Sequence, residues 1–401
     1  MHALILDPAL AAPIGHHYNL DACLAQEFGK LGVAARIVGH AETAPVIIEK
    51  LGAMPHFRAH PYLMLSKDPL VAPLEDYLEI NERLAEDLAG LAAKVDWSDA
   101  LVVFHTVNEQ MLFGIAQWLG SAQLPASCRI MIVLPHEAGL DQQGRPTNWK
   151  GLLYRHAFNA LRRLADRRAS LLTLSDLQVR EFALLSERAL EVMPYPSCAV
   201  GWRRAHAPIE RSRRARRRVL YCGEATRRKG FDLLPEIIRK VSAARPEVEF
   251  VIQIHTWHAN DPLTAEVASL ARSQTNVQTV AGFTLPDDFY ALLDDADMVL
   301  QPYQAPAYKS GTSAIFEEAM YLGRPCVVPP ETMMATVLQQ HPEAGAVAAT
   351  PSAEALADAV IRVLADYPRY QAGAGNASAV WRARDGIDRF AGFLVDRAGR
   401  P

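Results

Sequence analysis

Tyr308-Lys309-Ser310-Gly311-Thr312-Ser313-Ala314-Ile315-Phe316-Glu317-Glu318-Ala319-Met320-Tyr321-Leu322-Gly323-Arg324-Pro325-Cys326-Val327-Val328 decides the fold. A small polar loop opens a short helix, Gly323 and Pro325 close it, and a β-branched run follows at Val327-Val328. The order is loop, helix, turn, strand. The free backbone N–H groups over Ser310, Gly311, Thr312 and Ser313, with the helix dipole behind them, favour an anion such as a diphosphate. Glu317 and Glu318 sit about a turn and a half further on, where a carboxylate suits sugar hydroxyls. A glycine-bearing loop and a glutamate on one helix point to a nucleotide-sugar site. Ser and Thr at a helix start also serve as plain caps, so this segment alone does not establish the ligand.

A second motif precedes it. In Tyr221-Cys222-Gly223-Glu224-Ala225-Thr226-Arg227-Arg228-Lys229-Gly230 a strand ends at a glycine, a short basic loop follows, and Gly230 leads into a helix. Cations there would neutralise a diphosphate leaving group as its charge develops.

Together these segments resemble the retaining family 4 glycosyltransferases, which have the two-domain GT-B fold. Glu318-Ala319-Met320 and Gly323-Arg324-Pro325-Cys326-Val327-Val328 match the family's donor-binding helix, and Lys229 and Gly230 match its Lys-Gly phosphate loop. Two positions depart from the pattern: Ser310 stands where relatives carry an acidic residue, and Glu224 where they carry Arg. The resemblance covers roughly residues 219–328 and is only architectural before them. It implies that Lys229 grips the donor phosphates, with Gly223, Arg227 and Arg228 beside it. Glu318 would bind the nucleotide ribose, with Glu317 as its substitute. His105, at the end of a strand, would approach the donor sugar as a catalytic residue. It further implies retention of anomeric configuration and no catalytic metal.

Outside the motifs, the chain bounds the answer. At 401 residues it exceeds one hydrophobic core, so two domains are expected. Half of its residues are apolar, 21% are charged and the net charge is −4. That is a globular composition, neither disordered nor a general polyanion binder. No apolar run reaches the length of about 18 residues that a membrane span needs, and the first residues read as a strand and not as a signal peptide. The five cysteines are scattered without a C-x-x-C pair, as expected of buried thiols in a reducing cytoplasm.

Short apolar runs at 3–6, 35–38, 101–104, 130–134 and 171–174 alternate with amphipathic stretches, the signature of βαβ units. The series resumes at 219–222, 249–254, 277–281, 298–301 and 326–328. The fold class is therefore α/β, two doubly wound Rossmann-like domains. The first, acceptor-binding domain spans 1–200, and the second, nucleotide-sugar-binding domain spans 219–379. The arginine-rich stretch 201–218 reads as a solvated linker, with an anionic-lipid or acidic-acceptor patch as the alternative. An amphipathic stretch at 380–397 is expected to return to the first domain, as the terminal helix does in the family.

Gly15 in Pro13-Ile14-Gly15-His16-His17 allows close backbone approach after the first strand, to the donor phosphates or the acceptor. His16, His17 and His136, the last at another strand end, are acceptor-side candidates. No G-x-G-x-x-G fingerprint is present, which disfavours a nicotinamide enzyme, and no third ligand near His16 and His17 in sequence suggests a metal. Asp294-Asp295-Ala296-Asp297 reads as the end of a helix and not as a metal-diphosphate motif. The basic amphipathic stretch 149–168 packs its apolar stripe in a core or rests on a membrane surface.

The expected activity is transfer of a sugar from a nucleotide-diphosphate sugar to a glycan, lipid-linked or small-molecule acceptor. No cofactor and no nucleic acid partner are expected. The location would be cytoplasmic, with peripheral contact at the inner membrane face as a further reading. The competitors are an inverting GT-B transferase, with a base from His16, His17, Glu137 or Asp141, and a non-catalytic GT-B binding protein.

Overall fold

The computed structural model describes residues 1–62, 68, 70–141, 143–164, 168–207, 216–256, 261–282 and 284–399. The chain divides into two compact units, Met1–Pro196 with Ile387–Pro401, and Ser197–Gly386.

The first unit is built on seven strands: β1 (His2–Leu6), β2 (Ala34–His40), β3 (Met54–Phe57), β4 (Ala100–Phe104), β5 (Arg129–Val133), β6 (Ala169–Thr173) and β7 (Leu190–Val192). They form one parallel sheet in the order β3-β2-β1-β4-β5-β6-β7. Ile5 of β1 pairs with Ile37 on one side and Val103 on the other. Helices cover parallel sheets on both faces, which is why these strands are continuous apolar runs and not alternating ones. Every residue of β4 is buried. The core gathers Phe104, Trp118, Tyr154, Phe158 and Phe182.

The second unit repeats the plan with β8 (Arg218–Tyr221), β9 (Glu249–Ile254), β10 (Val277–Ala281), β11 (Met298–Leu300), β12 (Cys326–Val328) and β13 (Gly345–Val347). Their order is β10-β9-β8-β11-β12-β13, again parallel. The helix Leu234–Ala244 shows how the layers lock, burying Leu234, Ile237, Ile238 and Val241 along one face. In each unit the strand order reverses beside the first strand, at β1/β4 and at β8/β11. Open α/β sheets bind ligands at the carboxyl ends of strands beside such a reversal.

The structure differs from the sequence reading in several places. The terminal stretch 380–397 is not one helix but the ends of two, Tyr367–Arg384 and Ile387–Ala398. Gly386, at φ 127°, breaks them. The second helix belongs to the first unit, where Ile387, Phe390, Ala391 and Leu394 are buried and the helix lies against Gly15–Lys30. The longer helix escapes a periodicity search because it is rich in small residues. One of them is required: a Cβ on Gly373 would stand 2.3 Å from the Glu343 carbonyl oxygen.

The stretch 201–218 is not a uniformly solvated linker. Residues 199–205 form a helix, Arg203 pairs with the buried Asp294 at 2.6 Å, and Arg217 pairs with Asp297 at 3.1 Å. Arg218 binds Asp295 and Glu249. Residues 208–215 lie outside the described residues. The basic helix Trp149–Arg162 buries Leu153, Ala157 and Leu161. Its cations have partners within the unit: Lys150 bonds Glu137 at 2.7 Å, Arg162 meets Glu187 at 3.3 Å, and Arg155 donates to the Gly144 carbonyl. Among the described residues, no helix is long and apolar enough to cross a membrane.

Candidate functional site

In the second unit, β8 is followed by Cys222 and by Gly223, at φ 113°. A Cβ on Gly223 would lie 2.9 Å from Ile315 Cδ1 and 3.0 Å from Lys229 Nζ. The absent side chain is what lets the loop after β8 meet the helix Ala314–Tyr321, bringing the two sequence motifs together at the β8/β11 reversal. Gly230 is fixed more strictly. Its φ is 65°, and a Cβ there would fall 1.9 Å from the Pro302 carbonyl oxygen. Thr226 organises the intervening turn, its hydroxyl accepting from the Lys229 N–H at 3.4 Å.

Among the described residues the Lys229 ammonium has no hydrogen-bond or ion-pair partner; its nearest aromatic ring is Tyr303, 5.9 Å away. Burial and the neighbouring Arg228 cation lower its pKa below the usual lysine value. The Glu224 charge acts the other way, and a cation lowered in this way gains from a further negative charge arriving beside it. Arg228 donates to the Tyr308 hydroxyl at 3.2 Å, and Arg227 pairs with Asp232 at 3.2 Å on the surface. Neither arginine is a free counterpart to Lys229.

The helix begins at a buried Ser313, whose hydroxyl accepts from the Phe316 N–H at 3.3 Å. Ser310 and Gly311 are also buried. Among the described residues, the N–H groups of Gly311, Thr312 and Ser313 have no backbone acceptor. The two glutamates are already bonded. Glu317 accepts from Thr312 Oγ1 at 2.5 Å and Trp381 Nε1 at 2.9 Å. Glu318 accepts from Ser197 Oγ at 2.5 Å, Cys198 N at 3.1 Å and Ala199 N at 3.2 Å. It thereby caps the helix Ala199–Ala205, and burial pushes its carboxyl pKa up to about 7. In this structure neither carboxylate is open to a ribose.

In the first unit, β1 delivers Asp7, β4 delivers His105, and the helix after β1 delivers His17 and Asp21. His17 Nδ1 donates to Asp7 Oδ2 at 2.7 Å. His105 Nε2 donates to Asp21 Oδ1 at 2.7 Å and lies 3.4 Å from Asp7 Oδ2. Its other ring nitrogen meets Thr106 Oγ1 at 2.9 Å. Burial opposes a charge on His105, but the Asp21 and Asp7 carboxylates outweigh it and hold its pKa at about 10. Burial, with the Asp7 charge, pushes Asp21 up to about 7. Asp7 is held well below the carboxylate range; burial works against this, and its contacts with His17 and His105 prevail. His105, read from the sequence as a residue beside the sugar, is instead enclosed, with both nitrogens engaged. It positions Asp7.

His17 is different: its Nε2 faces the Tyr62 hydroxyl at 3.3 Å. Its Nδ1–H is fixed by Asp7, so the lone pair points away from the carboxylate, the arrangement of a general base. His16 is exposed and stacks on His17 at 4.0 Å. His136 is half-buried in the loop after β5. Gly15, at φ 74°, starts the helix, and no atom lies within 4 Å of where its Cβ would be. It therefore serves the turn and not a close approach of described residues. Among the described residues, Asp7, His17 and His105 form the group that could hold a metal ion, their ligand atoms lying within 4.8 Å of one another. The sequence reading passed over Asp7 and Asp21. The available signal was an acid directly after the first strand and another on the same face of the next helix.

Residues 216–366 match the family described as glycosyl transferases group 1. Among solved structures, the chain is similar to sucrose-phosphate synthase of Thermosynechococcus elongatus, at 15% identity and a TM-score of 0.68 over 99% of this chain and 98% of that one. It is similar to HepE of Anabaena, solved in complex with UDP, at 16% identity and 0.65 over 99% of each chain. A UDP-forming α,α-trehalose-phosphate synthase of Burkholderia vietnamiensis aligns at 14% identity and 0.67, over 99% of this chain and 96% of that one. A search of the curated proteins finds no matching sequence. The fold is GT-B, with two Rossmann-like domains, and the match to the group 1 glycosyl transferases lies within the second unit.

Proposed function

We propose that the protein transfers a sugar, a hexose as the family resemblance suggests, from a nucleotide-diphosphate sugar to an acceptor hydroxyl. The observation that carries this reading is the meeting of Gly223, the unpaired Lys229 ammonium and the Gly311–Ser313 amides at the β8/β11 reversal. Backbone N–H groups at a helix start, beside a cation that makes no ion pair among the described residues, suit a diphosphate. In the reaction the bond from the anomeric carbon to the diphosphate oxygen breaks, its electron pair leaves with the diphosphate, and Lys229 neutralises the growing charge. The acceptor oxygen forms the new bond to the anomeric carbon, and its proton passes to the departing diphosphate oxygen. UDP is the first nucleoside diphosphate to try, because HepE and the trehalose-phosphate synthase are described with it.

Retention without a metal is the stereochemical course that the family resemblance supports. A specific observation favours inversion as a second reading: the Asp7–His17 pair offers a base for the acceptor proton. The configuration of the product, read by proton NMR, separates the two.

Isothermal titration with UDP, GDP, ADP and CMP tests the donor reading. One nucleoside diphosphate is expected to bind selectively, and Lys229→Ala to weaken it by about 10- to 100-fold, the value of one charged hydrogen bond. Binding by none of them overturns the transferase reading. Selective binding with no turnover of any matching sugar donor favours the non-catalytic alternative.

A further inference from the structure

A row of imidazole and phenol rings crosses the carboxyl edge of the first unit's sheet, and the transfer reaction does not by itself account for it. His40 is the last residue of β2, His60 follows β3, and His17 follows β1. The rings touch in sequence. His40 and His60 stand 5.3 Å apart, His60 and Tyr62 6.0 Å, and Tyr62 and His17 5.7 Å, each near edge-to-face. Tyr62 is 48% exposed, so a ligand reaches the row.

The backbone sets which way each ring donates. The Glu42 N–H donates to His40 Nδ1 at 3.1 Å, and the Tyr62 N–H to His60 Nδ1 at 3.3 Å. With Nδ1 accepting, the neutral rings carry their proton on Nε2. His40 and His60 thus present fixed N–H donors, with no partner for Nε2 among the described residues. His17 has the opposite tautomer: Nδ1–H is held by Asp7, so Nε2 accepts, and it accepts from the Tyr62 hydroxyl at 3.3 Å. Tyr62 both donates and accepts. Two adjacent N–H donors and a phenol hydroxyl, set between flat apolar faces, match the hydroxyls and C–H faces of a sugar ring.

Charge narrows the class. Burial and the neighbouring His40 and His17 rings keep His60 below the usual imidazole pKa, and hence uncharged near neutral pH. The charges that act on Tyr62 are the Asp7 and Glu109 carboxylates, and Glu42 acts on His60. Among the described residues, neither ring carries a Lys or Arg hydrogen bond or cation–π contact. Phosphate recognition calls for such cations in a fork or cluster, and carboxylates repel it.

We infer that this edge is the acceptor site for an uncharged, polyhydroxylated molecule, a sugar without phosphate, held by His40, His60 and Tyr62, with His17 orienting the Tyr62 hydroxyl. The inference rests on the proposed transfer reaction for the word acceptor; the binding itself does not need turnover.

Saturation-transfer-difference NMR on the full chain tests it, with glucose, galactose, mannose and maltose set against glucose 6-phosphate and mannose 6-phosphate. At least one neutral sugar is expected to receive saturation. That signal should be lost in Tyr62→Ala and in His60→Ala, while the titration of UDP stays as in the unaltered protein. Stronger saturation of the phosphates, saturation of neither class, or a neutral-sugar signal untouched by both variants overturns the inference. Failure of UDP to bind while the neutral sugar signal persists would overturn the donor reading and leave this site standing.

Discussion

His17 Nδ1 donates to Asp7 Oδ2 at 2.7 Å, and this one bond turns a helix-start histidine into an oriented acceptor of protons. The carboxylate is itself held by His105, which Asp21 holds in turn at 2.7 Å. The four groups come from β1, from the end of β4 and from the helix between β1 and β2. Each is ordinary in isolation; the pairing makes the first unit's sheet edge a polarised site.

The cluster ties stability to pH. His105 keeps its proton up to about 10 when folded, against about 6.5 in an unfolded chain. Its contribution is therefore complete below about pH 6.5 and lost as pH rises through about 10. Asp21, raised to about 7, acts in the same direction between about pH 4 and 7. Melting temperature should fall as the buffer goes from pH 7 to 10, and His105→Gln should flatten that slope. An unchanged slope in the variant would show that the charge pairing does not exist in solution.

Glu318→Ala should destabilise the second unit by about 2–4 kcal/mol, since it strands the Ser197 hydroxyl and the Cys198 and Ala199 amides in a buried place. Urea denaturation measures it. A loss under about 0.5 kcal/mol, the range of ordinary surface changes, would mean the cap is dispensable and the carboxylate free for a ligand.

Asp294 is buried and accepts from both Arg203, at 2.9 and 2.6 Å, and Arg324, at 2.7 Å. Asp294→Ala leaves two guanidinium groups without their shared anion, a change of about 3–5 kcal/mol. Circular dichroism melts should show it as a large drop in the midpoint; a variant as stable as the parent would contradict the pairing.

Gly230→Ala should fold poorly, because the methyl meets the Pro302 carbonyl and φ is positive. The expected cost is about 3 kcal/mol or more. Gly15→Ala has the same sign of φ but open space, so only the strain of about 1 kcal/mol remains. Equal effects at the two sites would count against the close approach at Gly230.

Chelation gives the last test. Turnover of a nucleotide sugar should survive EDTA, as proposed for a metal-free reaction. Activity abolished by EDTA and restored by a divalent ion would overturn that proposal and direct attention to Asp7, His17 and His105.

Sequence order alone carried the α/β class, most strands and the two loops of the second unit. Buried parallel strands must be apolar runs, and a loop that cradles an anion must be small and glycine-bearing; both constraints are local and leave a local trace. The short edge strands β3 and β13 were missed because three or four residues carry too little pattern. The helix Tyr367–Arg384 was missed because it packs through small residues and not along an apolar stripe.

Partnership was decided only by tertiary structure. Asp294, Asp295 and Asp297 sit where an acidic motif invites a metal reading, yet all three are bound by arginines from 203 to 218. Glu318 matches a ribose-binding position in sequence and caps a helix over 100 residues earlier in the chain. Asp7 and Asp21 gave no motif at all, and become partners of His17 and His105 only when the sheet places the ends of β1 and β4 side by side. A residue type and its spacing fix what a side chain is able to do. Which neighbour occupies it depends on contacts between distant segments, and those exist only once the sheet has closed.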